Sequence, residues 1–130
     1  MRKIPFNEKF FDQHNEKVFY WAGLLAADGC VQKKHPLVNH FIRGYFDGDG
    51  SVYIQNDTKY IEFRGTVPFL KSINRIVKSN LERKTRAAVH IHSGCGSLKY
   101  CGNKLAVQVA NFMYEGATIF LHRKHYKLYT

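Results

Sequence analysis

Cysteine is scarce. The 130-residue chain has three (Cys30, Cys95 and Cys101), an odd number with no framework spacing. That excludes a disulfide-stapled secreted scaffold and points to a reducing, intracellular compartment. Acidic side chains are also few: 10 Asp and Glu stand against 20 Lys and Arg, a formal net charge of +10. So large a surplus implies a polyanionic partner, nucleic acid before any other. Long apolar runs are missing. The longest, Val18 to Ala27, is ten residues and too short to span a bilayer, so no membrane role is expected. The opening MRKIPFNEKFFDQHNEK has no apolar segment of signal-peptide type. Apolar residues are plentiful, at 45% with ten Phe and eight Tyr, so one domain can bury a real core. The charge is uneven. Residues 1–36 carry 6 basic and 4 acidic side chains, whereas residues 37–130 carry 14 and 6. The second part is therefore the expected polyanion-facing body.

Two segments repeat at an offset of 21 residues: YWAGLLAADG from Tyr20 and FIRGYFDGDG from Phe41. Each has Gly, two large apolar residues, any residue, a small residue, Asp and Gly. On a helix Gly23 and Ala27, and likewise Gly44 and Gly48, stand at i,i+4 and leave one face nearly bare. A bare stripe lets two helix backbones approach closely. Gly29 and Gly50 suit the left-handed position that ends a helix. Asp28 and Asp49 then fall at helix C-termini, where the macrodipole is negative and a carboxylate costs roughly 0.3–1 kcal/mol. A divalent cation held between them would offset that, and hard oxygen ligands suit Mg²⁺.

WAGLLAADG and IRGYFDGDG resemble the two signature motifs of LAGLIDADG homing endonucleases. In that family the motif helices pack side by side on a pseudo-twofold axis, and their last acids coordinate the metals that cleave DNA. The resemblance implies Asp28 and Asp49 as metal ligands and catalytic acids, and Mg²⁺ or another divalent cation as cofactor. Ala26 stands where the first motif has its first acid, a position that is not a ligand.

The remaining pattern is mixed. Ser51–Gln55 and Tyr60–Thr66 alternate as a hairpin around Asn56-Asp57-Thr58. From Pro68 a helical pattern places Phe69, Leu70, Ile73, Ile76 and Val77 on one face. Thr85–His92 and Ser97–Gly102 alternate around the turn Ser93–Gly96. Lys104–Met113 is expected as a helix with Leu105, Val109 and Phe112 inward, and Ala117–Tyr129 as a last helix. With a motif helix at Leu37–Asp49 the order is αββαββα followed by one more helix. This is an α+β fold, a four-stranded antiparallel sheet with helices on one face, preceded by an extra motif helix. It is similar to a LAGLIDADG half-domain over residues 37–130. Residues 1–36 then hold the first motif helix, Glu16–Asp28, of a half-domain whose body is absent.

The exposed sheet face is expected to carry Tyr53, Gln55, Glu62, Arg64, Arg86, His90, His92 and Lys99, side chains able to read base edges in double-stranded DNA. The tail YEGATIFLHRKHYKL looks like the family's closing segment, with Tyr114, Leu121, Arg123 and Lys124 structural. The resemblance also implies a basin lysine before the third helix, for which Lys104 is the candidate, to polarise a phosphate or the attacking water. A surface phosphate contact is the plainer role. His90, His92, Cys95 and Cys101 form H-x-H-x2-C-x5-C, which fits no common zinc spacing.

Only 21 residues separate Asp28 from Asp49. A parallel return is feasible: the second helix is roughly 20 Å long, and the nine steps from Asp28 to Leu37 reach about 30 Å. The motif helices therefore either pair within one chain or form a homodimer in which two Asp49 meet. The function expected is Mg-dependent cleavage of double-stranded DNA; the alternative is a catalytically inactive DNA- or RNA-binding remnant or a splicing-assisting module.

Overall fold

A computed structural model describes residues 15–25, 36–82 and 84–130. Among these residues nine elements run α1 (Glu16–Leu25), α2 (Val38–Asp49), β1 (Ser51–Gln55), β2 (Thr58–Gly65), α3 (Val67–Asn80), β3 (Val89–His92), β4 (Cys95–Cys101), α4 (Asn103–Tyr114) and α5 (His122–Tyr129). The strands form one antiparallel sheet in the order β1-β2-β4-β3. Both hairpins turn on two residues with positive φ, Asn56-Asp57 (51° and 61°) and Ser93-Gly94 (48° and 81°). Asn, Asp and Gly tolerate that region, and such turns match strand twist. The second turn is tighter than the expected Ser93–Gly96, so β4 starts at Cys95. β3 is shorter than expected: Thr85–Ala88 alternates in sequence but has no strand partner to its side.

The period-2 pattern sends Val52, Ile61, Phe63, Leu98 and Tyr100 to the inner face, all buried. α2 crosses that face with Ile42 and Phe46 fully buried, and the Phe46 ring lies 5.5 Å from Phe63. α3 adds Phe69, Leu70, Ile73, Ile76 and Val77, as its spacing predicts. α4 buries Ala106, Val109, Ala110 and Met113, with Leu105 and Phe112 only flanking the core. Its inward face is thus rotated from the expected one, because small alanines let the helix sit close beneath the sheet.

α1 starts where the Asn15 carboxamide oxygen accepts the Val18 amide at 3.0 Å, an N-cap bond. It packs against α2 in parallel. A Cβ on Gly23 would fall 1.8 Å from Phe41 O, and one on Gly44 1.9 Å from Tyr20 O. These contacts exchange under the 21-residue offset, since 41 follows 20 and 44 follows 23 by that number. The two glycines therefore mark a local pseudo-twofold axis, and only hydrogen fits at either position. The second helix of the repeat thus finds its mate within the chain. A homodimer using the same face of α2 would have to displace α1. Asp28, Ala27 and Gly29 lie outside the described residues.

Gly50 does not adopt the expected left-handed conformation. Its φ and ψ are −89° and 169°, so the chain leaves α2 directly into β1. The reason for glycine is space: a Cβ there would meet Phe46 Cδ2 at 2.4 Å and Phe46 O at 2.7 Å. The last helix is also shorter than expected. Residues 117–121 stay irregular because the Thr118 and Ile119 amides are taken by Glu16 and the Leu121 amide by Asp47.

Candidate catalytic acid and nucleic-acid interface

The C-terminal end of α2 carries Asp47 and Asp49, which have opposite environments. Asp47 is 3% exposed. Its Oδ2 accepts the Tyr20 hydroxyl at 2.7 Å and the Leu121 amide at 3.0 Å. The first bond joins α1 to α2. The second places an anion at the N-terminus of α5, where the helix dipole is positive. Burial, followed by the bond to Asp47, pushes the Tyr20 hydroxyl well above its ordinary pKa.

α5 answers with Lys124. Its ammonium is buried and donates to Phe46 O at 2.7 Å, Asp47 O at 3.0 Å and Gly50 O at 2.6 Å. All three donors of the ammonium are used, and the negative end of α2 receives a positive charge. Burial pulls the Lys124 pKa below its usual value, while Asp47 pulls it back. Lys124 therefore offsets the unfavourable place of the acids at this helix end, a job assigned from sequence to a cation.

Asp49 is exposed. It lines an open cleft of about 380 Å³ with Ser51, Arg123, Lys124 and Lys127. Asp49 is a hard ligand of the kind a divalent cation takes, one or two carboxylates with water and phosphate oxygens completing the shell, while Arg123, Lys124 and Lys127 oppose that charge until a phosphate neutralises them. Among the described residues no cluster of three or more His, Cys, Asp or Glu is poised for a metal. That also leaves the zinc reading of His90, His92, Cys95 and Cys101 without support: Cys95 pairs with His92 at the hairpin, while Cys101 lies opposite Tyr60 at the far end of β4.

Lys104 stands apart from Asp49. It opens α4 and lines a second cleft with Lys84, Thr85, Arg86 and Asn103. Nearby, Asn103 accepts the Lys59 amide and donates to Asp57 O, which ties this corner to the β1–β2 turn. Asp49 precedes the opposite end of β1.

The outer sheet face is the one expected. Register puts Ser51, Glu62 and Lys99 in one row, Tyr53, Tyr60 and Cys101 in the next, and Arg64, Ser97 and His90 in a third. Gln55 and His92 sit at the ends of their strands on the same face, and Arg86 is exposed on the segment leading to β3. Glu62 and Ser97 are buried on this face, and Arg64 Nε lies 2.6 Å from Glu62 Oε1. Sequence reasoning passed over Tyr60, whose ring stacks on Tyr53 at 4.9 Å and 5°. Its parity in the strand was the available signal.

A second polar cluster braces the other end of α2. Arg43 is fully buried, yet its Nη1 donates to Met113 O at 2.7 Å and its Nε to Ile119 O at 3.0 Å. The same Nη1 lies 2.8 Å from His40 Nδ1, and Nη2 is 3.7 Å from Glu16 Oε1. Glu16 Oε1 also accepts the Thr118 hydroxyl at 2.6 Å and the Thr118 and Ile119 amides at 2.8 and 3.0 Å. Burial alone would raise the Glu16 carboxyl; the Thr118 bonds, then Arg43 and His40, bring it below its ordinary pKa. The position after the N-cap of an apolar helix is thus a strap holding residues 118–119.

Such a molecule is an α+β half-body with a paired glycine helix, an acid at the helix end and a basic, aromatic outer sheet. Residues 36–75, which span α2 to the middle of α3, match the family model described as LAGLIDADG-like domain. That match supports a likeness of this segment to the LAGLIDADG homing endonucleases. No curated protein matches it. Members of this family are in general DNA-binding nucleases that use divalent cations. Among the described residues no helix is long and apolar enough to cross a membrane.

Proposed function

We propose that the protein is an endonuclease that cuts double-stranded DNA with the help of Mg²⁺. The observation that carries this reading is Asp49: an exposed carboxylate in a cationic cleft, at the end of a helix whose own carbonyls are already occupied by Lys124. A carboxylate kept for packing would be buried like Asp47. Asp49 and, from the motif, Asp28 would hold the cation, which supplies Lewis-acid charge at the scissile phosphate. Arg123 and Lys127 then stabilise charge on the phosphate oxygens. Tyr53, Gln55, Arg64, His90, His92 and Lys99 seat the duplex on the outer sheet, and Arg86 and Lys104 contact phosphates at its edge. One sheet covers one side of the axis, so the target would be gripped asymmetrically.

The test is nicking of supercoiled DNA with and without Mg²⁺, alongside duplex affinity, for wild type and Asp49→Asn. The expected result is Mg-dependent nicking in wild type and a loss of at least about a hundredfold in Asp49→Asn, with affinity retained. Wild-type protein that binds DNA but never nicks it would replace this reading with that of a non-catalytic binding module.

A further inference from the structure

α3 turns Phe69, Leu70, Ile73, Ile76 and Val77 toward the core. Its outward face carries Lys71, Arg75 and Lys78, all exposed, at i, i+4 and i+7. The helix contains no acid. Among the described residues none of these three cations forms an ion pair. Like charges at this spacing repel one another, so local helix energetics does not explain the stripe.

The stripe is one wall of a groove of about 430 Å³. Asn74 and the segment Ala87–Val89 complete it. Its floor is fixed. The Asn74 amide donates to Ala87 O at 2.9 Å, and the Tyr100 hydroxyl donates to Asn74 Oδ1 at 2.9 Å. The facing wall is built from two alanines and a valine, small side chains without charge. This groove lies on the helix-bearing side of the sheet, at its β3 edge, away from the outer face proposed to seat the duplex.

We infer that the α3 groove is a second polyphosphate site, holding a phosphodiester backbone separate from the stretch of duplex on the outer sheet. Three cations over two helical turns meet the backbone of a strand, and the small neutral wall lets that backbone come close. The occupant is a single strand: a duplex seated on the outer sheet would reach this groove only by bending sharply round the β3 edge, which duplex stiffness makes costly. Catalysis is not involved, so the inference stands apart from the endonuclease reading.

The test uses fluorescence anisotropy with two probes: oligo(dT) of about 16 nucleotides, a length typical of single-strand sites, and a duplex. Affinity is followed from about 50 to about 200 mM salt for wild type and for Lys71→Ala/Arg75→Ala/Lys78→Ala, with melting temperature as the check on folding. Removing three phosphate contacts should flatten the slope of log K against log salt by about 2 for oligo(dT) and leave the duplex slope unchanged. A change confined to oligo(dT), with oligo(dT) still bound under saturating duplex, identifies the single strand. A change confined to the duplex overturns the proposal in favour of a duplex flank. Unchanged slopes for both probes overturn the proposal. Arg64→Ala/Lys99→Ala, on the outer sheet, separately tests where the duplex sits.

Discussion

Replacing Lys124 by Met keeps an unbranched apolar stem as far as Cε, with sulfur for Cδ, and removes the ammonium. Phe46 O retains a partner, because the Gly50 amide reaches it at 2.8 Å. Asp47 O and Gly50 O lose their bonds from Nζ at 3.0 and 2.6 Å. Hydrogen bonds from charged groups contribute about 1.5–3 kcal/mol each. Relief from burying an ammonium offsets part of that. The expected net loss is about 3 kcal/mol. For a chain of this size that lowers the melting temperature by about 10 °C. In urea the midpoint falls by about 2 M with an unchanged slope. Lys124→Arg should not restore stability, since a planar fork cannot direct its donors at three converging carbonyls. A loss below about 1 kcal/mol for Lys124→Met would refute the claim that the ammonium holds the end of α2.

Gly44→Ala should undock α1, because the added methyl would lie 1.9 Å from a backbone oxygen; hydrogen exchange should accelerate in α1 while β2 and β4 stay protected. His40 should make stability fall in mild acid. Burial, then Arg43, lowers its pKa in the folded state, with Glu16 opposing. Its contribution is therefore complete above about pH 6.5, the unfolded value, and is lost as pH drops toward the depressed folded value. Melts between about pH 7.5 and 5 should show a drop that His40→Gln flattens, whereas the Glu16 carboxyl acts below that window.

The repeat made the bare glycine face legible but left its mate open between the first motif helix and a second copy; the Gly23–Phe41 and Gly44–Tyr20 contacts settle it for α1. The hairpins and the inward face of α3 followed from period and turn chemistry. The polar interior did not. Arg43 and Lys124 are buried against the usual preference of their side chains, and only three-dimensional neighbours reveal why. For Lys124 a signal existed: it shares the i,i+4 face of α5 with buried Leu128. Gly50 misled because a glycine after a helix ordinarily marks a left-handed cap, whereas here it clears the Phe46 ring. Residues 117–121 were expected as helix, but the long-range carboxylates of Glu16 and Asp47 take the amides of Thr118, Ile119 and Leu121.

The lysine that fastens the end of α2 also sets an order of events during synthesis. Gly50 and Lys124 are 74 positions apart in the chain. At a translation rate of about 5–20 residues per second, roughly 4–15 s pass between their appearances. For that interval the acid-bearing helix end exists without its fastener, and the Asp49 cleft lacks the wall that α5 provides. The nascent chain therefore passes the ribosome with its acid in place and its site unassembled. Any charge it presents to nucleic acid then comes from the strands and α3, well before the cleft closes around Asp49.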